Sequence, residues 1–453
     1  MGHLREASRI RMKTIPGTKK ILINAVIFSV TSVALLMNNF SDQYFVVQLG
    51  RIEAAAYTLD VPIFWIMVSV SAALGAVYSA DIKRYLSEND QKGADEAAIR
   101  ASVYSVLFGF VFSVIAAIFV IMAFQYIPEE DVRTDALTYM TPMLALFFVL
   151  TLNSVLGGFL NAEGKFWVYV IALLIMLAGN AGFDYLFLQL EYGIFGNGLS
   201  TVLGAAMSLV FELAWYWTGR TRVKLSFRNF SWSFEPMKRA LIRIRKILLR
   251  HLTKDIAEVF IRFSLYLTYM LSYGVPMMYS TLIATIGMGA GAYLSSEYEK
   301  LLKNGDRDQV MTLFLRSTSL ILLITLSVSV LFHLTADILV EPFVPFDSSQ
   351  DSFEVMIWTL QVLCFTAPFV GMKYLANAVT APVGRISHAT LLLMIWASTK
   401  AAAFMYFVDI EYEYAIYTIL IERILSCFVS LAIAYWHIRH TYPAPASGVP
   451  SAA

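Results

Sequence analysis

The chain has 453 residues, of which 58% are hydrophobic and 15% are charged, and its mean hydropathy is +0.64. A soluble domain averages about 45–50% apolar and about 25% charged residues, so a soluble globule and a disordered chain are both excluded. Two cysteines cannot make a disulfide scaffold, and a net charge of +1 gives no basic field for nucleic acid. The composition therefore indicates a polytopic membrane protein.

Apolar segments long enough to cross a bilayer follow one another along the whole chain. The first follows a basic stretch and continues through Val47 without a small-residue cleavage site, which favours a spanning helix over a signal peptide. The seventh and eighth segments are separated only by a predicted turn at 272–274. We predict an all-α fold with twelve transmembrane helices at 20–48, 52–79, 98–124, 136–160, 166–188, 197–218, 253–273, 276–296, 310–334, 354–376, 387–408 and 413–436.

Lysine and arginine residues are distributed unevenly between the two sets of loops. If the N-terminus lies inside, the outer loops contain only Arg51 and Arg133, and one of them is acidic at Glu129, Glu130 and Asp131. Positively charged loops stay on the cytoplasmic side of a membrane. We therefore predict a multi-pass protein of the cell membrane with both termini in the cytoplasm.

A long basic loop at 219–252 divides the predicted spans into two groups of six. Its second half, MKRALIRIRKILLRHL, has the pattern of an amphipathic helix that lies on an anionic membrane surface. The halves look related, since GAVYSADIKRYLSENDQKGA follows the second span and GAGAYLSSEYEKLLKNGDRDQV follows the eighth. We predict an N-terminal lobe (1–218), a cytoplasmic linker (219–252) and a pseudo-symmetric C-terminal lobe (253–453), with a substrate cleft between the lobes.

Polar residues inside the spans of the first lobe mark a candidate ion site. A charged group at mid-bilayer costs at least ~2.5–3.5 kcal/mol, which makes each one a functional candidate. At 1.5 Å per residue, several fall at similar depth in the outer half. They are Asp42, Asn180, Asp184 and Thr201, with Asp60 of the second span at a similar depth. Their oxygen atoms suit a hard cation such as Na⁺, and buried carboxylates also suit a proton. The alternative is that these groups bond only to backbone or to one another.

The second lobe contains more buried cations than carboxylates. Glu258 and Arg262 are four residues apart in one span and are predicted to pair. Lys400 and Glu422 fall at comparable depth in the last two spans and are predicted to pair across that hairpin. Lys373 is expected to snorkel from an inner helix end. These residues form either a structural network or a site for an anionic group of the substrate.

Further polar residues are weaker candidates for the substrate cleft. They are Asn38, Tyr139, Asn153 and Asp60. For Asp60, just before Pro62, we favour local hydrogen bonding at a broken helix. The sequence has no Walker motif, no metal-ligand spacing among its histidines and no recognisable catalytic set. We therefore predict no enzyme activity, no cofactor other than the coupling ion and no metal beyond Na⁺ at the coupling site.

The sequence resembles the multidrug and toxic compound extrusion (MATE) family, most clearly over residues 40–210. The segments that carry the resemblance are LGRIEAAAYTLDVPIF, LGAVYSADIKRYLSENDQKGADEA, LNAEGKF, AGNAGFDYLF, YGIFGNGLSTVLG and PFVPFDSSQDSFEVMIWTLQV. The resemblance implies a monomer with twelve helices in two lobes that exports organic compounds, often amphipathic cations, in exchange for Na⁺ or H⁺. The coupling residues of the family's prokaryotic branch fall on Asp42, Asn180, Asp184 and Thr201.

Two departures from the family pattern affect this interpretation. Related prokaryotic transporters often have a proline in the first helix, and span 1 has none, which puts a bending movement of that helix in doubt. Span 10 has Lys373 and no core carboxylate, so an anionic or zwitterionic amphiphile is a reasonable substrate.

We predict an antiporter for multidrug efflux that binds Na⁺ or H⁺ in its first lobe and a small amphiphile between its lobes. One alternative is a flippase for a lipid or lipid-linked saccharide, which the cations of the second lobe favour if they line the cleft, because such carriers bear phosphates. An intramembrane lipid-modifying enzyme would need a catalytic cluster, and a channel would need a filter segment, and the sequence offers neither. Membrane lipids are expected partners and nucleic acid is not.

Overall fold

The computed structural model describes residues 16–303, 306–380 and 386–440. The basic N-terminal residues that contribute to the predicted orientation lie outside these ranges. The described chain is almost entirely helical, as predicted. Its α-helices are α1 (Thr18–Val46), α2 (Arg51–Ser87), α3 (Gln91–Phe124), α4 (Glu130–Ala162), α5 (Phe166–Gln189), α6 (Gly193–Trp217), α7 (Phe234–Phe263), α8 (Leu267–Lys303), α9 (Arg307–Leu334), α10 (Ala336–Val340), α11 (Gln350–Cys364), α12 (Ala367–Thr380), α13 (Ile386–Val408) and α14 (Tyr412–His440).

Ten helical segments of the described residues are long and apolar enough to cross a membrane. They are α1–α6, α8, α9, the α11–α12 pair and α14, and the apolar part of α13, Leu393–Val408, is shorter. Length and composition thus support a multi-pass membrane protein. The first six predicted spans correspond one by one to α1–α6, which extend beyond several predicted ends. For example, α3 begins seven residues before the predicted start, where the Asp90 side chain accepts a hydrogen bond from the Gly93 amide at 2.8 Å.

The predicted turn at 272–274 is wrong, because α8 continues through it. The chain instead breaks before Leu267, and α7 joins the basic amphipathic segment and the start of the predicted seventh span in one helix. Gly274 lies inside α8, where an added Cβ would lie 2.9 Å from Cγ2 of Thr58 on α2. This glycine therefore serves close helix packing rather than a turn.

The predicted tenth span is two helices rather than one. The chain leaves helical geometry between Cys364 and Ala367, where the Thr366 hydroxyl donates to the Leu363 carbonyl at 2.6 Å. Pro368 follows in the first turn of α12, a position that tolerates proline because its missing N–H has no partner there. Pro368 was the sequence signal for this break.

Helix α1 contacts both halves of the chain. Its start packs with helices of the second half, since Ile21 and Ala25 share a buried cluster with residues of α8, α9, α12 and α14. The Ser29 hydroxyl also donates to the Thr285 carbonyl of α8 at 2.8 Å. Its last turns lie between the two halves, since Phe40 packs against Tyr279 of α8 with ring centroids 4.8 Å apart, and the helix also contacts α2, α5 and α6 of the first half. This placement brings the polar end of α1 to α5 and α6.

Candidate functional site

A buried amide joins two carboxylates that come from different helices. Asp42 is near the end of α1, and Asn180 and Asp184 share one face of α5, and each is at most 2% exposed. The Asn180 side-chain nitrogen donates to Oδ1 of Asp42 at 2.5 Å and to Oδ2 of Asp184 at 3.0 Å. The i, i+4 spacing read from the sequence therefore aims both α5 side chains at the same place.

Helix α6 completes this cluster with three more side chains. The Thr201 hydroxyl donates to Oδ2 of Asp42 at 3.3 Å. The Asn197 amide donates to Oδ1 of Asp184 at 2.8 Å, and the Ser200 hydroxyl donates to the same oxygen. The four residues predicted from the sequence are thus brought together. Asn197 and Ser200 were missed, although Asn197 precedes Thr201 by one helical turn in the same GNGLST segment.

A glycine allows α5 and α6 to approach closely at the cluster. An added Cβ at Gly204 would lie 2.7 Å from the Met176 carbonyl oxygen and 2.8 Å from the Asn180 backbone nitrogen. Ordinary contacts begin near 3.4 Å, so no larger residue fits without moving the helices apart. The small residue therefore fixes the distance between the α5 and α6 polar groups.

Two tyrosines and a further asparagine surround the cluster. The Asn38 amide donates to Oδ2 of Asp42 at 3.3 Å. The rings of Tyr57 and Tyr139 meet edge to face with centroids 5.4 Å apart, and Tyr139 lies within electrostatic range of Asp42 and Asp184. Asn38 and Tyr139, predicted as substrate contacts, are therefore buried beside the acids, at 1% and 2% exposure.

The other two weak candidates, Asp60 and Asn153, lie on α2 and α4. Neither carboxylate oxygen of Asp60 has a hydrogen-bond partner among the described residues, so the local bonding favoured at Pro62 is not observed. The Asn153 amide donates to the Ala205 carbonyl at 3.1 Å and thereby ties α4 to α6. Both side chains are buried, at 0% and 6% exposure.

The chemistry of the Asp42 cluster suits a small hard cation or a proton. Two carboxylates face neutral hydroxyl and amide groups, and oxygen atoms are the ligands that hard cations prefer. Among the described residues no group of three or more His, Cys, Asp or Glu side chains could hold a metal ion.

The second half pairs its charges differently from the prediction. Lys400 contacts Oε1 of Glu258 at 2.5 Å, and Tyr273 donates to the other oxygen of Glu258 at 2.7 Å. Lys373 lies 3.5 Å from Glu422, so the predicted pair of Lys400 with Glu422 is wrong. The expectation that Lys373 snorkels is also wrong, because the opposite charge on α14 lies within its reach.

Two arginines of this half have neutral hydrogen-bond partners. Arg262 lies within electrostatic range of Glu258, as the predicted pair requires, but it donates to the Thr58 carbonyl of α2 at 2.5 Å. The Arg423 guanidinium donates to the Ser280 hydroxyl at 2.7 Å and to the Thr366 hydroxyl. Arg262 is buried, at 4% exposure, whereas Arg423 is half-buried, and a guanidinium removed from water without a carboxylate in contact is costly unless another anion binds.

The chain has the fold of a membrane transporter, as comparisons with known proteins show. Residues 28–186 match the MatE family model. A solved structure described as the inward-facing conformation of a multidrug resistance MATE family transporter of the MOP superfamily has a TM-score of 0.81 at 20% identity. The match covers 92% of this chain and 98% of that one. The resemblance to the MATE family is thereby confirmed in the family model and in the fold.

Two further structures show how the fold varies. An outward-facing conformation described in the same words gives a TM-score of 0.73 at 20% identity, with 94% of this chain and 97% of that one covered. The third, from Pyrococcus furiosus, is a MOP superfamily transporter whose reverse polarity of binding pocket suggests a different function. Its TM-score is 0.74 at 20% identity, with the same coverage. No curated protein sequence matches the chain.

The solved structures that share this fold are those of transporters. The TM-score is higher for the inward-facing structure than for the outward-facing one.

Proposed function

We propose that this protein is a secondary transporter that exports amphipathic organic compounds in exchange for Na⁺ or H⁺. The ion binds at Asp42, Asn180, Asp184 and Thr201, with Asn197 and Ser200 as additional ligands or donors. The observation that carries the proposal is the convergence of these side chains from α1, α5 and α6 on two buried carboxylates. The cell membrane, cytoplasmic termini, a monomeric state and the absence of a further cofactor belong to the same proposal.

Helix α1 is the element that transmits ion binding to the rest of the molecule. Its polar end holds Asp42, while its first turns pack with helices of the second half. An ion neutralises the repulsion between Asp42 and Asp184 and so favours the conformation in which the two carboxylates are close. The ion shifts the equilibrium between inward-facing and outward-facing states by the difference of its affinities for them.

The two lobes follow the sequence boundaries 1–218 and 253–453, with twelve spans in all, and the linker 219–252 lies on the cytoplasmic membrane surface. Support for the linker's position comes from Arg243 of α7, which contacts Asp81 of α2 at 2.6 Å and ties the basic segment to the predicted inner end of that helix. Neighbouring basic side chains of α7 are exposed and available to anionic headgroups.

The substrate carries an anionic group, alone or as part of a zwitterion. Arg423 favours this substrate class because its hydrogen-bond partners are neutral, whereas Arg262 already lies within electrostatic range of Glu258. Lys254, whose side chain is exposed, lies in electrostatic range of Arg423 and adds positive charge there, although Asp255 and Glu258 are also in its range. The same cations favour the second candidate function, a flippase for a lipid whose phosphate they would bind. The reversed pocket polarity described for the Pyrococcus furiosus transporter indicates that this fold accommodates such a change.

Transport in proteoliposomes with an imposed Na⁺ or H⁺ gradient tests the proposal. The probes are ethidium, a cationic amphiphile, and taurocholate, an anionic one, and the variants are Asp42→Asn and Asp184→Asn. Asp337→Asn, at an exposed carboxylate of α10, is the matched control. We expect the parent and the control to move taurocholate against its gradient and both cluster variants to fail. Normal transport by both cluster variants would overturn the coupling site, and ion-independent passage of a labelled lipid would favour the flippase.

A further inference from the structure

Glu212 is a buried carboxylate in α6 that the Asp42 cluster does not use. Its exposure is 0%, and neither of its oxygen atoms has a hydrogen-bond partner among the described residues. An ionised carboxylate without donors or a cation is strongly disfavoured in an apolar interior, whereas a protonated one is neutral. Such a group is therefore suited to hold a proton and unsuited to hold a salt bridge.

The position of Glu212 relates it to the ion cluster. It lies on the face of α6 that also carries Thr201 and Ser208. Ser208 follows Thr201 by about two helical turns, and Glu212 follows Ser208 by about one turn. Eleven residues separate Thr201 from Glu212, which corresponds to about 16 Å along the helix axis. The Asn153 side chain reaches this face between them and leaves its Oδ1 atom without a partner among the described residues. A buried polar face thus runs from the cluster to Glu212.

Few titratable groups lie around Glu212. Tyr169 of α5 and Tyr216, one turn further along α6, are within electrostatic range of it. The Tyr216 hydroxyl donates to the Leu156 carbonyl of α4 at 3.0 Å. Tyr216 also lies within electrostatic range of a second carboxylate, that of Glu163.

Glu163 shows what a structural carboxylate looks like at the same end of the bundle. It contacts Lys165 at 2.5 Å and accepts hydrogen bonds from the backbone amides of Arg222 and Val223 at 2.9 Å each. Every oxygen of Glu163 is therefore satisfied. Glu212, a few residues before the end of α6 at Trp217, has none of these partners, so helix packing alone does not explain its carboxyl group.

We propose that Glu212 is a second proton-binding site, which exchanges protons between the solution at the Tyr216 end of α6 and the Asp42 cluster. Uptake converts the Glu212 carboxylate to a carboxylic acid, and release regenerates the carboxylate, so that no co-reactant other than the proton is needed. Proton binding at Glu212 stands on its own geometry. Only the exchange with the cluster rests on the proposed ion coupling.

Infrared difference spectroscopy of the full chain in liposomes, between acidic and alkaline pH, measures protonated carboxyl groups directly. We expect a carboxylic acid band that is absent in Glu212→Gln and present in the parent, in Asp184→Asn and in Glu163→Gln. Glu163→Gln is the matched control, since its carboxylate is buried but fully paired. A Glu212→Gln spectrum identical to that of the parent would overturn the inference.

Transport driven by a proton gradient, with ethidium and taurocholate as probes, tests the exchange. We expect Glu212→Gln to lower the rate roughly tenfold or more, as is typical of coupled sites, and Glu212→Asp to retain part of it. If Asp42→Asn abolishes transport but Glu212→Gln loses no carboxylic acid band, this inference is refuted and the proposed function stays intact. If Glu212→Gln loses the band but neither a Na⁺ nor a H⁺ gradient drives transport by the parent, the proposed function is refuted and the proton site at Glu212 is retained. Loss of the band with unchanged transport would refute the exchange.

Discussion

Replacement of Gly204 by alanine tests whether close packing of α5 and α6 sets the geometry of the ion cluster. The added Cβ would lie 2.7 Å from the Met176 carbonyl oxygen, and ordinary contact begins near 3.4 Å, so the helices must separate there by about 0.7 Å. The same shift would lengthen the 2.8 Å bond from Asn197 to Asp184 to about 3.5 Å, beyond the usual hydrogen-bond range. Overpacking of this kind costs about 1–3 kcal/mol.

Gly182 provides the matched control because it lies in α5 and an added Cβ there meets nothing within 4 Å. Gly182→Ala is expected to be neutral or to stabilise the helix by up to about 1 kcal/mol. The assay is unfolding in detergent with and without the coupling ion, since a bound ion raises the free energy of unfolding of the folded state it binds. We expect Gly204→Ala to lower both the free energy of unfolding and the stabilisation by the ion. Equal behaviour of the two variants would refute the argument.

Three other substitutions test contacts seen in the structure. Lys400→Met removes the cation that contacts Glu258 and leaves Arg262 within electrostatic range of that carboxylate. The variant is expected to lose up to about 3–5 kcal/mol of unfolding free energy, and adding Glu258→Gln should restore part of this loss. No recovery in the double variant would contradict the pairing of Lys400 with Glu258. Tyr279→Phe removes the 2.7 Å hydrogen bond that the Tyr279 hydroxyl donates to the Leu339 carbonyl. The free energy of unfolding, measured in the same way, should fall by about 0.5–1.5 kcal/mol. An unchanged free energy of unfolding would show that this bond contributes nothing to stability. Thr201→Val removes the hydroxyl that donates to the Asp42 carboxylate, so the affinity for the coupling ion in a binding titration should fall. Thr201→Ser retains a hydroxyl and should retain the affinity. Equal affinities of the two variants would exclude a role for the hydroxyl.

The Asp42 cluster could be predicted because distances along the helix axes suffice to bring its residues to one depth. Asn180 and Asp184 share a face at i, i+4, and a rise of 1.5 Å per residue places Asp42 at a similar depth. These two rules need no knowledge of which helices are neighbours. Asn197 was missed because an asparagine near a helix start has a local explanation in the Gly-rich entry, although its spacing from Thr201 matched the same rule.

Helix breaks were harder to predict than helices. Gly274 suggested a turn at 272–274, yet α8 continues through it because the missing Cβ is used to approach Thr58. Pro368, in contrast, does follow a break, in a segment predicted as one span. The local tendency of glycine or proline to interrupt a helix does not depend on where the residue lies. The contact with the neighbouring helix decides whether the backbone actually bends there. A single sequence gives no information on that neighbour.

Charge pairing in the second half could not be predicted from depth, because depth leaves the rotation of each helix undefined. The sequence favoured Lys400 with Glu422, since α13 and α14 are consecutive, but Lys400 turns towards Glu258 of α7 and leaves Glu422 to Lys373 of α12. Long side chains make several partners reachable at one depth, so the contacts between non-consecutive helices select among them. The same selection leaves Arg423 with neutral hydrogen-bond partners, an arrangement that the depth of the residue along its helix does not specify.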